Sequence, residues 1–232
     1  MKMFRLALVL SLFILFINVI AFGQPRRTGA KTSPAGSQKT TDPSPQEIAE
    51  SGSFDGKTYK NELLGFRISI PKGWTFASED TNRTTLAAGR LKIKVNETAE
   101  RQKAMDKSIA NTRILFQTSP LPLGQPGNSA IFVCGFEKLS VPQTQEAYAE
   151  FNKKLVLTSM NASLKKDLYS KMVNGIRFTA FDVETAKNDL TINQTYMITH
   201  RKNMIFFFVL TLADNIHEKT MADALSTLRL DK

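Results

Sequence analysis

Two carboxylates, Asp182 and Glu184, are the pair of side chains in this sequence best spaced for acid–base or cation chemistry. Residues two apart on a strand face the same side of a sheet. Such a pair could coordinate a cation or act as acid and base. Solvated strand positions carry this pattern far more often than sites do. We therefore predict neither a metal site nor a catalytic site here.

Cys134 is the single cysteine of the chain, so no disulfide partner exists within it. A catalytic thiol needs a nearby histidine or helix N-terminus, and His200 and His217 are both distant in sequence. Within the apolar segment IFVCGF, Cys134 is predicted to pack as a small buried hydrophobe. The sequence also lacks a glycine-rich phosphate loop, a zinc-binding spacing and a serine elbow. No catalytic residue, cofactor or metal ligand is predicted.

Two loops remain as candidate contact surfaces. Residues 119–128 contain three prolines and two leucines, Leu121 and Leu123, so this loop is stiff and apolar. We predict that it makes the main partner contact; the alternative is that the leucines cover the edge of the core. The segment His200-Arg201-Lys202 is predicted to tune that contact by its charge, and its alternative is a plain hairpin tip.

The N-terminus is typical of an export signal. Lys2 and Arg5 precede an apolar run that ends near Gly23, with small residues around the expected cleavage site. We predict a signal peptide over 1–23 and an exported chain, either periplasmic or secreted. The alternative is an uncleaved N-terminal membrane anchor, because the run is just long enough to span a bilayer.

The remaining chain divides by composition. Residues 24–53 are rich in Pro, Ser, Thr and Lys and predict a disordered linker, in which 44–50 could form a short helical turn. Residues 54–232 form one predicted domain. The formal charge of +10 allows a weak contact with anionic surfaces, although mixed surface charge for solubility explains it as well.

The domain alternates strands with amphipathic segments. Apolar residues at every second position predict strands, and stripes spaced by three and four predict helices. The predicted strands cover 58–64, 65–70, 113–118, 129–138, 167–173, 176–184, 190–199 and 204–212, and a hairpin is predicted over 84–95 with a Gly89-Arg90 turn. Predicted helices cover 97–111, a segment capped by Thr144 with Tyr148, Phe151 and Leu155 buried, and a last segment capped by Asp214 with Met221, Leu225 and Leu228 buried. Trp74, after Pro71-Lys72-Gly73, is predicted as a buried anchor.

The opening of the domain, Tyr59-…-Asn61-…-Gly65-Phe66 followed by Pro71 to Trp74, resembles the PsbP/Mog1-like superfamily. The long antiparallel meander and the final aromatic strand, Ala-Asp turn and helix add to the resemblance. It implies an α+β fold, an α/β/α sandwich whose central, mainly antiparallel sheet is covered by helices on both faces. It also implies a binding or assembly role, and no functional residue transfers with it.

The sequence therefore favours an exported, non-enzymatic binding or assembly module that acts outside the cytoplasmic membrane on a protein or envelope component. The alternative is an envelope or secreted hydrolase-like enzyme with scattered site residues near the proline-rich loop. The run Phe206-Phe207-Phe208 predicts core rather than a base-stacking platform, so no nucleic acid is expected as partner.

Overall fold

The computed structural model of the protein describes residues 42–93, 99–125, 129–187, 190–213 and 215–231. The helices within these ranges are α1 (Pro45–Glu50), α2 (Glu79–Ile93), α3 (Ala99–Asn111), α4 (Gln145–Met160) and α5 (Glu218–Ser226). The strands are β1 (Gly52–Phe54), β2 (Thr58–Asn61), β3 (Phe66–Ser69), β4 (Thr75–Phe76), β5 (Thr112–Ser119), β6 (Ala130–Lys138), β7 (Ser163–Val173), β8 (Ile176–Lys187), β9 (Leu190–Arg201), β10 (Met204–Leu212) and β11 (Arg229–Leu230).

The strands form two antiparallel sheets. The larger has the order β4-β5-β6-β10-β9-β8-β7, and the smaller has the order β1-β2-β3-β11. The predicted α+β class is confirmed. The predicted meander is also confirmed, because β7 to β10 pair in succession through short turns. β10 occupies the middle of the larger sheet, as its two-sided apolar pattern predicts.

Alternation along the central strands builds a core on each face of the larger sheet. On one face Phe132, Phe206 and Phe208 pack with residues of the smaller sheet and of α5. On the other face Ile205 packs with residues of α4, and Val209 packs with Leu86 of α2. The four-stranded sheet was not foreseen as a separate layer. It forms because residues 52–69 pair among themselves and with the C-terminal β11.

The ordered chain begins earlier than predicted. The predicted linker, residues 24–53, includes α1, where a short helical turn over 44–50 was allowed for, and the first two residues of β1, which were not expected to form a strand. Ser44 caps α1 by accepting the Glu47 backbone N–H, and the Glu47 side chain accepts the Ser44 backbone N–H in return. Ile48 is buried in the main core. A single well-capped turn with one apolar anchor is thus enough to bring this segment onto the sheet.

The hairpin predicted over 84–95 is wrong, because residues 79–93 form α2. Glu79 and Asp80 lie in the first turn, where acidic side chains are stabilised by the positive end of the helix dipole. The Ser78 hydroxyl accepts the Thr81 backbone N–H and begins the helix. The alternation at 91–95 does not give a strand, because residues 91–93 continue α2. Val95 lies outside the described residues.

Helix α4 begins at its predicted Thr144 cap, and of its predicted apolar stripe Tyr148 is buried, Leu155 is half-buried and Phe151 is not buried. Tyr148, Ala149 and Val156 are buried, whereas Phe151 is 50% exposed. The prediction of Phe151 as a core residue is therefore wrong. An apolar stripe on a helix does not identify the buried face when residues such as Ala149 can approach the sheet more closely.

The end of the domain follows the prediction in its core. Met221, Leu225 and Leu228 are buried. Helix α5 has His217 at its N-cap position without a side-chain cap hydrogen bond. The predicted cap residue, Asp214, lies outside the described residues. None of the helices in the described ranges is long and apolar enough to cross a membrane.

Trp74 anchors the fold less completely than expected. Its ring is half-buried against the main core and meets the His217 ring edge-on, with 5.6 Å between centroids. Gly73 makes the preceding turn with a φ of 82°, a value that favours glycine. Phe66, Ile68 and Ile70, which alternate along the predicted strand 65–70, are all buried.

Candidate functional site

A groove opens where two neighbouring strands of the larger sheet separate. β8 and β9 pair only from Thr179 opposite Ile198 to Lys187 opposite Leu190, although β8 begins at Ile176 and β9 continues to Arg201. These two strand ends pair with β7 and β10 but not with each other, apart from the Thr199 hydroxyl, which donates to the Arg177 carbonyl at 3.0 Å. They flank a groove of about 450 Å³, the tip groove. Its lining residues are Gln145, Gly175, Ile176, Arg177, Thr199, His200, Arg201, Lys202 and Leu230.

Gln145, the first residue of α4, bridges the two separated strands. Its buried side chain donates from Nε2 to the Thr179 hydroxyl on β8 at 2.9 Å. Its Oε1 accepts the His200 backbone N–H on β9 at 3.0 Å. One amide thus links a side-chain hydroxyl on β8 to a backbone N–H on β9 that a continued ladder would otherwise pair.

The walls of the tip groove are fixed by two short turns. Asn174 and Gly175 join β7 to β8 with φ values of 48° and 79°, and Lys202 stands at 55° in the turn between β9 and β10. These values are the ones that two-residue hairpin turns require. The Asn174 amide also donates to the carbonyl of Leu228, the residue before β11, at 2.6 Å.

The lining of the tip groove is cationic. Arg177, Arg201 and Lys202 contribute positive charge, His200 stands beside them, and none of the lining residues is acidic. Glu146 of α4 is an acidic neighbour, with its Oε1 3.1 Å from Nη2 of Arg177. Both side chains of this pair are more than half exposed, so the ion pair is weak and exchangeable.

Arg201 has unused hydrogen-bonding capacity in its guanidinium group. Its Nη1 is covered by protein atoms and has no hydrogen-bond partner. A covered guanidinium nitrogen without an acceptor costs free energy, since it has lost water without gaining a bond.

Helix α4 adds to the positive potential. It runs for 16 residues from Gln145, and its Thr144 cap accepts the Ala147 N–H. Because Gln145 lines the tip groove, the start of the helix and the positive end of its dipole lie beside the groove. Glu146 in that turn offsets part of this potential.

The leucine loop, residues 119–125 as described, is built differently. Leu123 is half-buried and packs against the cluster of Ile114, Ile131, Val133 and Val209. Leu121 is 37% exposed, and its carbonyl accepts the Ser119 hydroxyl at 2.6 Å. The remaining loop residues 126–128 lie outside the described residues. One leucine therefore belongs to the edge of the core, whereas the other presents part of its surface to solvent.

The structure places the two predicted contact regions at opposite ends of the larger sheet. β6 begins beside the leucine loop at Ala130 and ends at Lys138, which pairs with Met204 next to the tip groove. Nine residues of strand span about 30 Å at about 3.3 Å per residue. One small ligand cannot touch both regions, so they do not form a single site.

The other candidate chemical groups are used internally. Asp182 accepts hydrogen bonds from the hydroxyls of Tyr169 and Thr195, at 3.1 and 2.8 Å, and Glu184 lies 3.8 Å from the Lys165 amine. Cys134 is fully buried, and burial raises the pKa of its thiol. No group of three or more His, Cys, Asp or Glu side chains suited to a metal occurs among the residues that the structure describes.

Sequence reasoning did not identify six of the residues that line the tip groove: Gln145, Gly175, Ile176, Arg177, Thr199 and Leu230. His200, Arg201 and Lys202 are adjacent in sequence and their charge could be read directly. Gln145 is 55 residues from His200 along the chain, and only the packing of α4 brings them together. A glutamine that becomes buried at a helix start is the one local signal that could have drawn attention to it.

No family model matches the sequence, and no curated protein matches it. Among solved structures, a cyanobacterial PsbP from Synechocystis sp. PCC 6803 is 11% identical with a TM-score of 0.48, covering 77% of this chain and 95% of that one. LpqN, involved in cell envelope biogenesis of Mycobacterium tuberculosis, is 12% identical with a TM-score of 0.40, covering 70% and 79%. A Pseudomonas aeruginosa protein of unknown function is 18% identical with a TM-score of 0.42, covering 50% and 82%. A PsbP thus stands among the similar structures, and no function is taken from similarity at this level.

Proposed function

We propose that the protein is an exported, non-enzymatic binding or assembly module that holds an anionic group of its partner in the tip groove. The cationic lining of that groove, with a guanidinium nitrogen of Arg201 left without an acceptor, is the observation that carries this proposal. A groove with three formal cations and no acidic lining residue attracts anions and gives them charge-assisted hydrogen bonds.

Export is part of the proposal and rests on the sequence. The basic residues, apolar run and small residues of 1–23 are the pattern of a signal peptide. The partner is accordingly an envelope component or another protein outside the cytoplasmic membrane. Residues 24–41 would then tether or precede the ordered chain.

The fold supports a binding role through its rigidity. We infer an α/β/α sandwich in which the smaller sheet, together with α1 and α5, makes one outer layer and α4 and α2 make the other. Such a scaffold holds its tips in fixed positions, which suits recognition by loops. No observation at the described part of the leucine loop favours the hydrolase alternative, since Leu123 there serves packing.

The leucine loop takes a second, separate role in this proposal. Its Leu121 surface contacts a partner that is long enough to reach about 30 Å from the tip groove. The contact at the groove then supplies charge recognition, and the contact at Leu121 adds apolar area. A small ligand would use the groove alone.

The proposal is tested by crosslinking intact cells with a reagent that cannot cross the cytoplasmic membrane. We expect partner capture by the native chain and at least a tenfold loss, about 1.4 kcal/mol, in the double variant Arg201→Glu/Lys202→Glu. A matched control, Lys72→Glu/Lys107→Glu, makes the same change of net charge at exposed positions away from the groove. Absence of any crosslink contradicts export, and equal capture by both double variants contradicts the groove.

A further inference from the structure

The charges around the tip groove discriminate between classes of anion. Arg177, Arg201 and Lys202 carry three formal positive charges, and Glu146 beside Arg177 returns one negative charge, which leaves two. A phosphate monoester carries a charge of about −1.5 to −2 at pH 7, whereas a carboxylate carries one. The groove therefore matches a phosphate dianion in charge and would keep an excess positive charge around a carboxylate.

The donors around the groove match a phosphate in number as well. Arg201 has a nitrogen without an acceptor, Lys202 is exposed in its turn, and Arg177 has only the exchangeable contact to Glu146. Phosphate oxygens accept several charge-assisted bonds at once, and two guanidinium groups can meet them bidentately. The first turn of α4 adds a favourable dipole on the same side.

The apolar part of the lining indicates what the phosphate is attached to. Ile176 and Leu230 are half-buried and line the same groove as the cations. A free inorganic phosphate would leave these side chains wet. An organic substituent on the phosphate would cover them and gain the free energy of apolar burial.

We infer that the tip groove binds a phosphate monoester with an apolar substituent, the phosphate on Arg201, Lys202 and Arg177 and the substituent on Ile176 and Leu230. Glu146 acts as a resident competitor that the phosphate displaces from Arg177. This inference rests on the proposed function, which requires only an anionic group. No bond is made or broken, because the site binds without reacting.

Amide shifts of the isotope-labelled exported protein, at fixed ionic strength, test the inference with three probes: hexyl phosphate, inorganic phosphate and hexanoate. We expect shifts at residues 199–202 and 175–177 with hexyl phosphate. Its affinity should exceed that of hexanoate by about tenfold, because of the second negative charge. Inorganic phosphate should bind more weakly than hexyl phosphate, since it leaves Ile176 and Leu230 uncovered.

Single variants separate the groove from general charge. Arg201→Gln should weaken hexyl phosphate by about tenfold or more, whereas Glu146→Gln should strengthen it severalfold by releasing Arg177. Lys72→Gln, which removes one exposed charge elsewhere, should change nothing. If Arg201→Gln alters amide shifts throughout the protein, Lys202→Gln in the exposed turn replaces it as the test.

Vesicle flotation distinguishes the two sources of such a phosphate. Binding to phosphatidylcholine vesicles that contain phosphatidic acid, lost in Arg201→Gln, assigns the phosphate to a lipid headgroup. Hexyl phosphate binding without flotation assigns it to a soluble ester. Equal affinity for hexanoate and hexyl phosphate, or shifts away from the groove, overturns the phosphate inference. If crosslinked capture still depends on Arg201 and Lys202, the proposed function survives that failure.

Discussion

The two ends of the larger sheet solve the problem of strand termination in different ways. At the tip end β8 and β9 separate, and a side chain from a helix, Gln145, satisfies both strands across the gap. At the leucine-loop end the loop packs on the sheet: Leu123 contacts the core, and the Ser119 hydroxyl donates to the Leu121 carbonyl. At the open end, where the strands separate, polar and cationic side chains remain available for binding. At the closed end, where the loop packs on the core, its side chains contribute to stability.

This difference teaches how to weigh an apolar loop against a charged one. The leucine loop was predicted to make the main partner contact because of its two leucines. One of them, Leu123, packs against the core. The charged tip, residues 200–202, was predicted only to tune that contact, and it lines a groove. Proposals for the two ends can therefore be tested independently, since about 30 Å of strand separates them.

The largest effect is expected from Gln145→Ala, which attacks the open end. It removes two hydrogen bonds to groups in a buried place, so the free energy of unfolding should fall by about 2–3 kcal/mol. Urea unfolding measures the loss, and amide shifts should change at 199–202. Gln143→Ala, exposed before the same helix, is the control. An unchanged urea midpoint would show that the amide does not hold the strands.

A smaller effect divides the closed end into its two leucines. Leu123→Ser should cost about 1–2 kcal/mol because its side chain is half-buried in a cluster. Leu121→Ser should cost less than about 0.5 kcal/mol, as is usual at exposed positions. Thermal unfolding measures both, and hexyl phosphate binding at the distant groove should stay the same in each. Equal destabilisation by the two variants would place Leu121 in the core as well.

The smallest effect concerns a buried acid near the open end. Burial raises the pKa of Glu137 above its ordinary value of 4.5, while hydrogen bonds from Ser108 and Tyr148 oppose the shift. The Tyr148 hydroxyl donates to Glu137 Oε2 at 2.7 Å. Because the pKa is higher in the folded state, folding favours the protonated acid, and stability falls as pH rises from about 4.5 through the folded pKa.

Glu137→Gln should remove this dependence. The variant should match the native protein near pH 4 and become progressively more stable than it as the pH rises, since a neutral amide can still accept from Tyr148. Urea unfolding between pH 4 and pH 8 measures the difference. Glu62→Gln, at an exposed position, is the control. Parallel pH profiles for the native protein and Glu137→Gln would show that Glu137 ionises freely in the fold.

Local patterns predicted the elements that depend on local chemistry. Alternation located β6 and β8 to β10, Asn174-Gly175 located a hairpin, and Thr144 located the start of α4. Patterns failed where two local structures competed. The hairpin predicted from weak alternation over 84–95 is not formed, because residues 79–93 form a capped helix. At Phe151, the spacing of apolar residues did not determine which side of the helix packs on the sheet.

The sequence by itself determined the antiparallel meander, the buried strand β10, the burial of Cys134 and the charge of residues 200–202. These depend on alternation, turn residues and composition, which act over a few residues. Only the tertiary structure decided that β8 and β9 separate, that Gln145 spans them and that Arg177 and Leu230 join the same groove. Those contacts join segments from 145 to 230, and no local pattern encodes where a sheet stops pairing.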